Sequence, residues 1–135
     1  MAPLQSFPSF SLLIVEDDQA ACDILVRMVG LEFPGCTIYT ADNGLKGLEL
    51  FKLHTPDVVI TDVNLPVMDG IEMAREIRLI NAYATYIVLT AYNEKTIFDK
   101  FQQIGVCAYL LKPISFNELF EVIAKCSVES KLQRG

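Results

Sequence analysis

Leu12–Val15, Val58–Thr61, Tyr86–Thr90 and Cys107–Leu111 are short apolar runs, rich in β-branched residues and almost without polar alternation. A strand with one wet face alternates. Runs like these predict strands covered on both faces, as in a parallel sheet flanked by helices. Thr37–Thr40 is weaker and more polar, which predicts an edge strand.

Helical patterns fill the gaps. Ala21, Ile24, Leu25, Met28 and Val29 recur at the spacing of an amphipathic helix. Asn43 is placed to cap a helix over Leu45–Leu53, and Gly44 and Gly47 would let that helix lie close on the sheet. Met73, Ala74, Ile77 and Ile80 make a third stripe that opens near Asp69-Gly70. Ile97, Phe98, Phe101 and Ile104 make a fourth, closed by Gly105. Ser115 and Glu118 form a capping box ahead of a fifth helix, with Phe116, Leu119, Phe120 and Ile123 on its apolar face. Strand and helix thus alternate five times. Right-handed crossovers turn that order into an α/β doubly wound, open parallel sheet with helices on both faces.

At 135 residues there is room for one domain. The 17 acidic residues outnumber the 11 basic ones, and the net charge of −6 argues against a nucleic-acid partner or an anionic membrane surface. Met1–Ser11 lacks the basic and apolar regions of a signal peptide, and no run reaches membrane-spanning length. Cys22, Cys36, Cys107 and Cys126 show no metal-ligand spacing and read as small buried hydrophobes in a reducing compartment. His54, the single histidine, precedes Thr55-Pro56 and fits a helix C-terminal turn. The expectation is a soluble, cytoplasmic protein.

In such a sheet ligands sit beyond the carboxyl ends of the strands. There the first strand ends in Glu16-Asp17-Asp18, the third in Asp62, the fourth in Thr90-Ala91 and the fifth in Lys112-Pro113. Carboxylates gathered from two strands repel unless a cation intervenes, and oxygen ligands suit Mg²⁺. With a hydroxyl and an ammonium added, the set suits an anionic, phosphate-like group, one carboxylate being a candidate nucleophile. Taken singly each residue is ordinary: Asp18 fits a helix N-cap, Thr90 a strand former and Lys112 a solvated charge. Glu16, Asp17 and Asp62 together carry half of the net charge.

The sequence is similar to the receiver domains of two-component response regulators over residues 11–128, leaving 1–10 as an N-terminal arm and 129–135 as a tail. The matching motifs are LLIVEDD at 12–18, PDVVITDVNLPVMDG at 56–70, TA at 90–91 and AYLLKPI at 108–114. The resemblance implies the flavodoxin-like strand order 2-1-3-4-5. It implies Asp62 as phosphoacceptor from a sensor histidine kinase or histidine phosphotransfer domain. It implies Mg²⁺ held by Asp17, Asp62 and the Asn64 main-chain carbonyl, with Glu16 acting mostly through water. Lys112 and Ala91 then face the phosphoryl group, Thr90 and Tyr109 form the switch, and the Lys112-Pro113 bond is cis. The implied output face includes Ile97, Lys100, Gln103, Val106 and Tyr109, which addresses an unnamed downstream output and allows a phosphorylation-linked homodimer. Glu16-Asp17 replaces the commoner Asp-Asp pair, and a bulky Tyr92 beside the site is expected to slow dephosphorylation.

Two other readings compete. One is an interaction module of the same fold that works without phosphorylation. The other is a phosphatase of the haloacid-dehalogenase type, whose nucleophile ends the first strand in a D-x-D motif. Here the candidate nucleophile ends the third, followed by Val63-Asn64.

Overall fold

A computed structural model describes residues 9–91, 95–105 and 108–134, with the side chains of the last helix described to Val128. In chain order the elements are β1 (Ser11–Val15), α1 (Gln19–Glu32), β2 (Thr37–Ala41), α2 (Gly44–His54), β3 (Val58–Asp62), α3 (Gly70–Ile80), β4 (Thr85–Thr90), α4 (Lys95–Ile104), β5 (Ala108–Leu111) and α5 (Phe116–Arg134). All neighbouring strands pair in parallel, in the order β2-β1-β3-β4-β5. The polar run is an edge strand, as its composition predicts.

The unbroken apolar runs follow from two cores. Leu12, Ile14, Val58, Ile60, Ile87 and Leu89 point into one, with α1 and α5. Leu13, Val15, Val59, Tyr86 and Val88 point into the other, with α2, α3 and α4. Successive strand residues face opposite ways, so both parities must be apolar. At the start of β3 a buried carboxylate, Asp57, accepts a 2.8 Å hydrogen bond from the Ser11 N–H and so registers β3 against β1.

The helices start where their caps place them. Asp18, Asn43 and Asp69 accept hydrogen bonds from the N–H groups of Ala21, Lys46 and Glu72, and the Ser115 hydroxyl accepts from Glu118 at 3.3 Å. His54 closes α2 and stacks on Tyr39 with ring centres 4.0 Å apart. Gly105 ends α4 with φ +91°.

Several expectations need correction. Leu25 and Val29 are buried as expected, but Cys22 completes the buried stripe of α1, while Ile24 is 54% exposed. Ile80 and Phe98 also lie outside the cores, at 47% and 41% exposure. Gly44 packs on the loop after β3, where a Cβ would stand 1.9 Å from the Met68 carbonyl oxygen. Gly47 does meet the sheet, at Val15, and also Met73 of α3. Cys22 and Cys36 are free thiols whose pKa values burial pushes up, but Cys126 is disulfide-bonded. Spacing along the chain could not reveal that bond, which depends on Cβ atoms approaching within about 4 Å in the fold. The helix α5 continues to Arg134, through the residues expected as a tail. Among the described residues no helix is long and apolar enough to cross a membrane.

Candidate functional site

The strand order reverses direction between β1 and β3, and their carboxyl ends bring Glu16, Asp17 and Asp62 together. One carboxylate oxygen from each lies within 4.8 Å of the others. The three differ in setting: Glu16 is buried, Asp62 half-buried and Asp17 exposed. The residue after β5 completes the group. Lys112 Nζ lies 2.8 Å from Asp62 Oδ2 and 3.3 Å from Glu16 Oε1. Its own backbone N–H donates to the Thr90 carbonyl at 2.8 Å, which holds the lysine beside the end of β4. The Lys112-Pro113 peptide bond is cis.

Burial pushes the Glu16 pKa up, and the nearby Asp62 charge adds to this; the Lys112 charge and the Asp18 N–H only partly pull it back. For Lys112 burial acts downward, but the hydrogen bond and charge of Asp62, followed by those of Glu16, outweigh it and leave the pKa raised. The ammonium is therefore held in its charged form between two acids.

Backbone groups that no side-chain motif announces fix Asp62. Its Oδ1 accepts a 2.7 Å hydrogen bond from the Val63 N–H, and its carbonyl accepts the Thr61 hydroxyl at 2.8 Å. Gly70 opens α3 against the same peptide: a Cβ there would lie 2.3 Å from the Asp62 carbonyl oxygen. The glycine of an Asp-Gly pair before a helix was the only sequence signal for this contact.

Asn64 is exposed, two residues past Asp62, and Ala91 is exposed next to the fully buried Thr90. Val88 and Tyr109 are register partners, so Thr90, two residues past Val88, shares their sheet face. The half-buried Tyr109 ring packs edge-on to Phe98 at 5.3 Å and tilted to Phe101 at 6.2 Å. Of the expected output face, Lys100 and Gln103 are exposed, while Ile97 and Tyr109 pack against the core. Val106 and Tyr92 lie outside the described residues.

The family model for the response regulator receiver domain matches residues 12–124. Sporulation initiation phosphotransferase F of Bacillus subtilis is 29% identical over 113 residues, which cover 84% of this chain and 90% of that protein. Transcriptional regulatory protein PdtaR of Mycobacterium tuberculosis is 36% identical over 83% of this chain, which spans only 54% of that regulator. Among solved structures, a response regulator receiver domain protein from Clostridium thermocellum superposes with a TM-score of 0.85 at 25% identity, covering 92% of this chain and 98% of that one. The N-terminal domain of an uncharacterized protein from Wolinella succinogenes gives 0.83 at 36% identity, covering 93% and 99%. With this fold, strand order and strand-end acids, the chain belongs to the family of receiver domains of two-component response regulators.

Proposed function

We propose that the chain is a phosphorylatable signalling switch in which Asp62 accepts a phosphoryl group from the phosphohistidine of a sensor kinase or histidine phosphotransfer domain. The observation that carries this reading is the Asp62 carboxylate, 2.8 Å from Lys112 Nζ and clustered with Glu16 and Asp17. Asp62 attacks phosphorus; an O–P bond forms as the P–N bond breaks, and the imidazole keeps the electron pair and takes up a proton. The carboxylate oxygens form a hard donor set that fits Mg²⁺. Asp17, Asp62 and the Asn64 carbonyl would hold it, with Glu16 acting mostly through water. Bound there, the ion offsets charge on the transferring oxygens.

Lys112 passes from the Asp62 carboxylate to the arriving phosphoryl oxygens. Ala91, being small, leaves them room. The added charge of about −1.5 to −2 draws the Thr90 hydroxyl inward, and Tyr109, on the same sheet face, follows it. The face made by α4, β5 and α5 then changes for a downstream output or for a second copy of the chain. The protein acts as a stoichiometric phosphoacceptor in the cytoplasm and assists its own phosphorylation and dephosphorylation.

Treatment with acetyl phosphate and Mg²⁺, followed by mass spectrometry, should show a gain of about 80 Da, the mass of one phosphoryl group. The gain should disappear without Mg²⁺ and in Asp62→Ala. No gain in the parent, or an equal gain in Asp62→Ala, would leave the phosphorylation-independent module as the better reading.

A further inference from the structure

Helix α4 is the most lightly embedded of the helices that cover its core. Phe101 is its one buried side chain among the described residues, and it packs chiefly on α3. A helix C-terminus carries partial negative charge, yet the last turn of α4 has no basic residue of its own. Arg78, in the last turn of α3, supplies the cation. Its Nη2 donates to the Gly105 carbonyl just past α4, and its Nη1 donates to the Ala82 carbonyl in the loop after α3.

The same guanidinium lies 5.7 Å from the centre of the Tyr86 ring. The buried Tyr86 hydroxyl in turn donates to the Ala74 carbonyl of α3 at 3.0 Å. One side chain thus joins α3, β4 and the end of α4. Gly105, whose φ of +91° favours glycine, lies close under it: a Cβ there would stand 3.0 Å from a guanidinium nitrogen. The rest of α4 answers to the switch: Phe98 and Phe101 hold the Tyr109 ring, and the helix follows Thr90-Ala91 in the chain.

We propose that Arg78 is a positioning residue that pins the C-terminal end of α4 to α3 and β4, so that the switch swings α4 about this end. The swing rests on the Asp62 reading; the pin is already present without phosphorylation and is tested there first. Hydrogen exchange of the full chain, read by mass spectrometry, compares the parent with Arg78→Gln and Arg78→Lys. Without ligand, Arg78→Gln should exchange the amides of Phe101–Gly105 about tenfold faster, as loss of a partly buried helix-end cation implies. Exchange in α1 and α2 should not change. Arg78→Lys should fall between, because a single ammonium lacks the rigid fork that spans two carbonyls. With Mg²⁺ and beryllofluoride, a phosphoryl mimic, the parent should change at Lys95–Lys100 and keep Phe101–Gly105 protected. Arg78→Gln should lose that contrast.

Unchanged exchange of Phe101–Gly105 in Arg78→Gln, or equal acceleration throughout the chain, overturns the pin. A parent indifferent to beryllofluoride overturns the Asp62 reading and the swing with it, while the ligand-free comparison still decides the pin.

Discussion

Replacing Gly70 by alanine tests how closely the site depends on backbone packing. The new Cβ would meet the Asp62 carbonyl oxygen at 2.3 Å and the Asp62 carbonyl carbon and Val63 Cα at 3.3 Å. All three are backbone atoms, so no rotamer relieves the clash. Either the end of β3 or the start of α3 must move by about 1 Å to restore ordinary contact. Overpacking of this kind costs about 1–3 kcal/mol, and the better helix propensity of alanine returns at most about 1 kcal/mol. The net loss, up to about 3 kcal/mol, should appear as a lower urea midpoint with unchanged slope.

The larger effect falls on the chemistry. The displaced peptide carries the Val63 N–H that fixes Asp62 Oδ1 and the carboxylate that meets Lys112. A misplacement near 1 Å can cost about 100-fold in rate. The assay is the initial rate of mass gain with acetyl phosphate, with Gly30→Ala as control. Gly30 lies within α1 with nothing within 4 Å of a new Cβ; that variant should be stabilised by up to about 1 kcal/mol and react like the parent. If Gly70→Ala reacted within about threefold of the parent, the claim that this contact positions Asp62 would fail.

Val67 sits at φ +70°, enclosed by a hydrogen bond from the Met68 N–H to the Pro66 carbonyl at 2.8 Å. A β-branched residue is strained there and, at 78% exposure, contributes little burial. Val67→Gly should therefore raise the unfolding free energy by about 0.5–1 kcal/mol, read as a higher urea midpoint, and a lower midpoint would refute the strain. Mg²⁺ at about ten times its Kd should stabilise the parent by about 1.4 kcal/mol, read as a rise in Tm that Asp62→Asn diminishes; equal shifts in both would exclude Asp62 as a ligand. The raised pKa of Lys112 means that the folded state holds this proton more tightly than the unfolded chain. Its contribution to stability is complete below the ordinary lysine value and is lost as pH rises through the folded value. Urea midpoints from about pH 9 to about pH 12 should fall less steeply in Lys112→Met than in the parent.

The caps at Asp18, Asn43 and Asp69 were legible because capping is local: a side chain meets an N–H three residues on. The burial of Ile24 was misread for the complementary reason. The periodicity of α1 admits neighbouring inward lines, and the fit of Cys22, Leu25 and Val29 against the sheet and α5 selects one. Gly44 shows the same limit. Its small size was visible, but its partner, the Met68 carbonyl, lies in a loop whose path depends on how α2 and α3 pack.

By itself the sequence determined the alternation of strands and helices, the edge position of Thr37–Thr40 and the acids at the strand ends, since each follows from short-range periodicity and from which residues finish a buried run. That the acids share one end of the sheet with Lys112 also followed from the strand-end rule; tertiary structure decided the contacts themselves. It brought Lys112 to Glu16 across 96 residues and to Asp62 across 50. It placed Gly70 on the Asp62 peptide, laid Arg78 across the end of α4 and joined Cys126 in a disulfide. Such contacts depend on sheet register and helix rotation, which the packing of both cores settles together and no local pattern encodes.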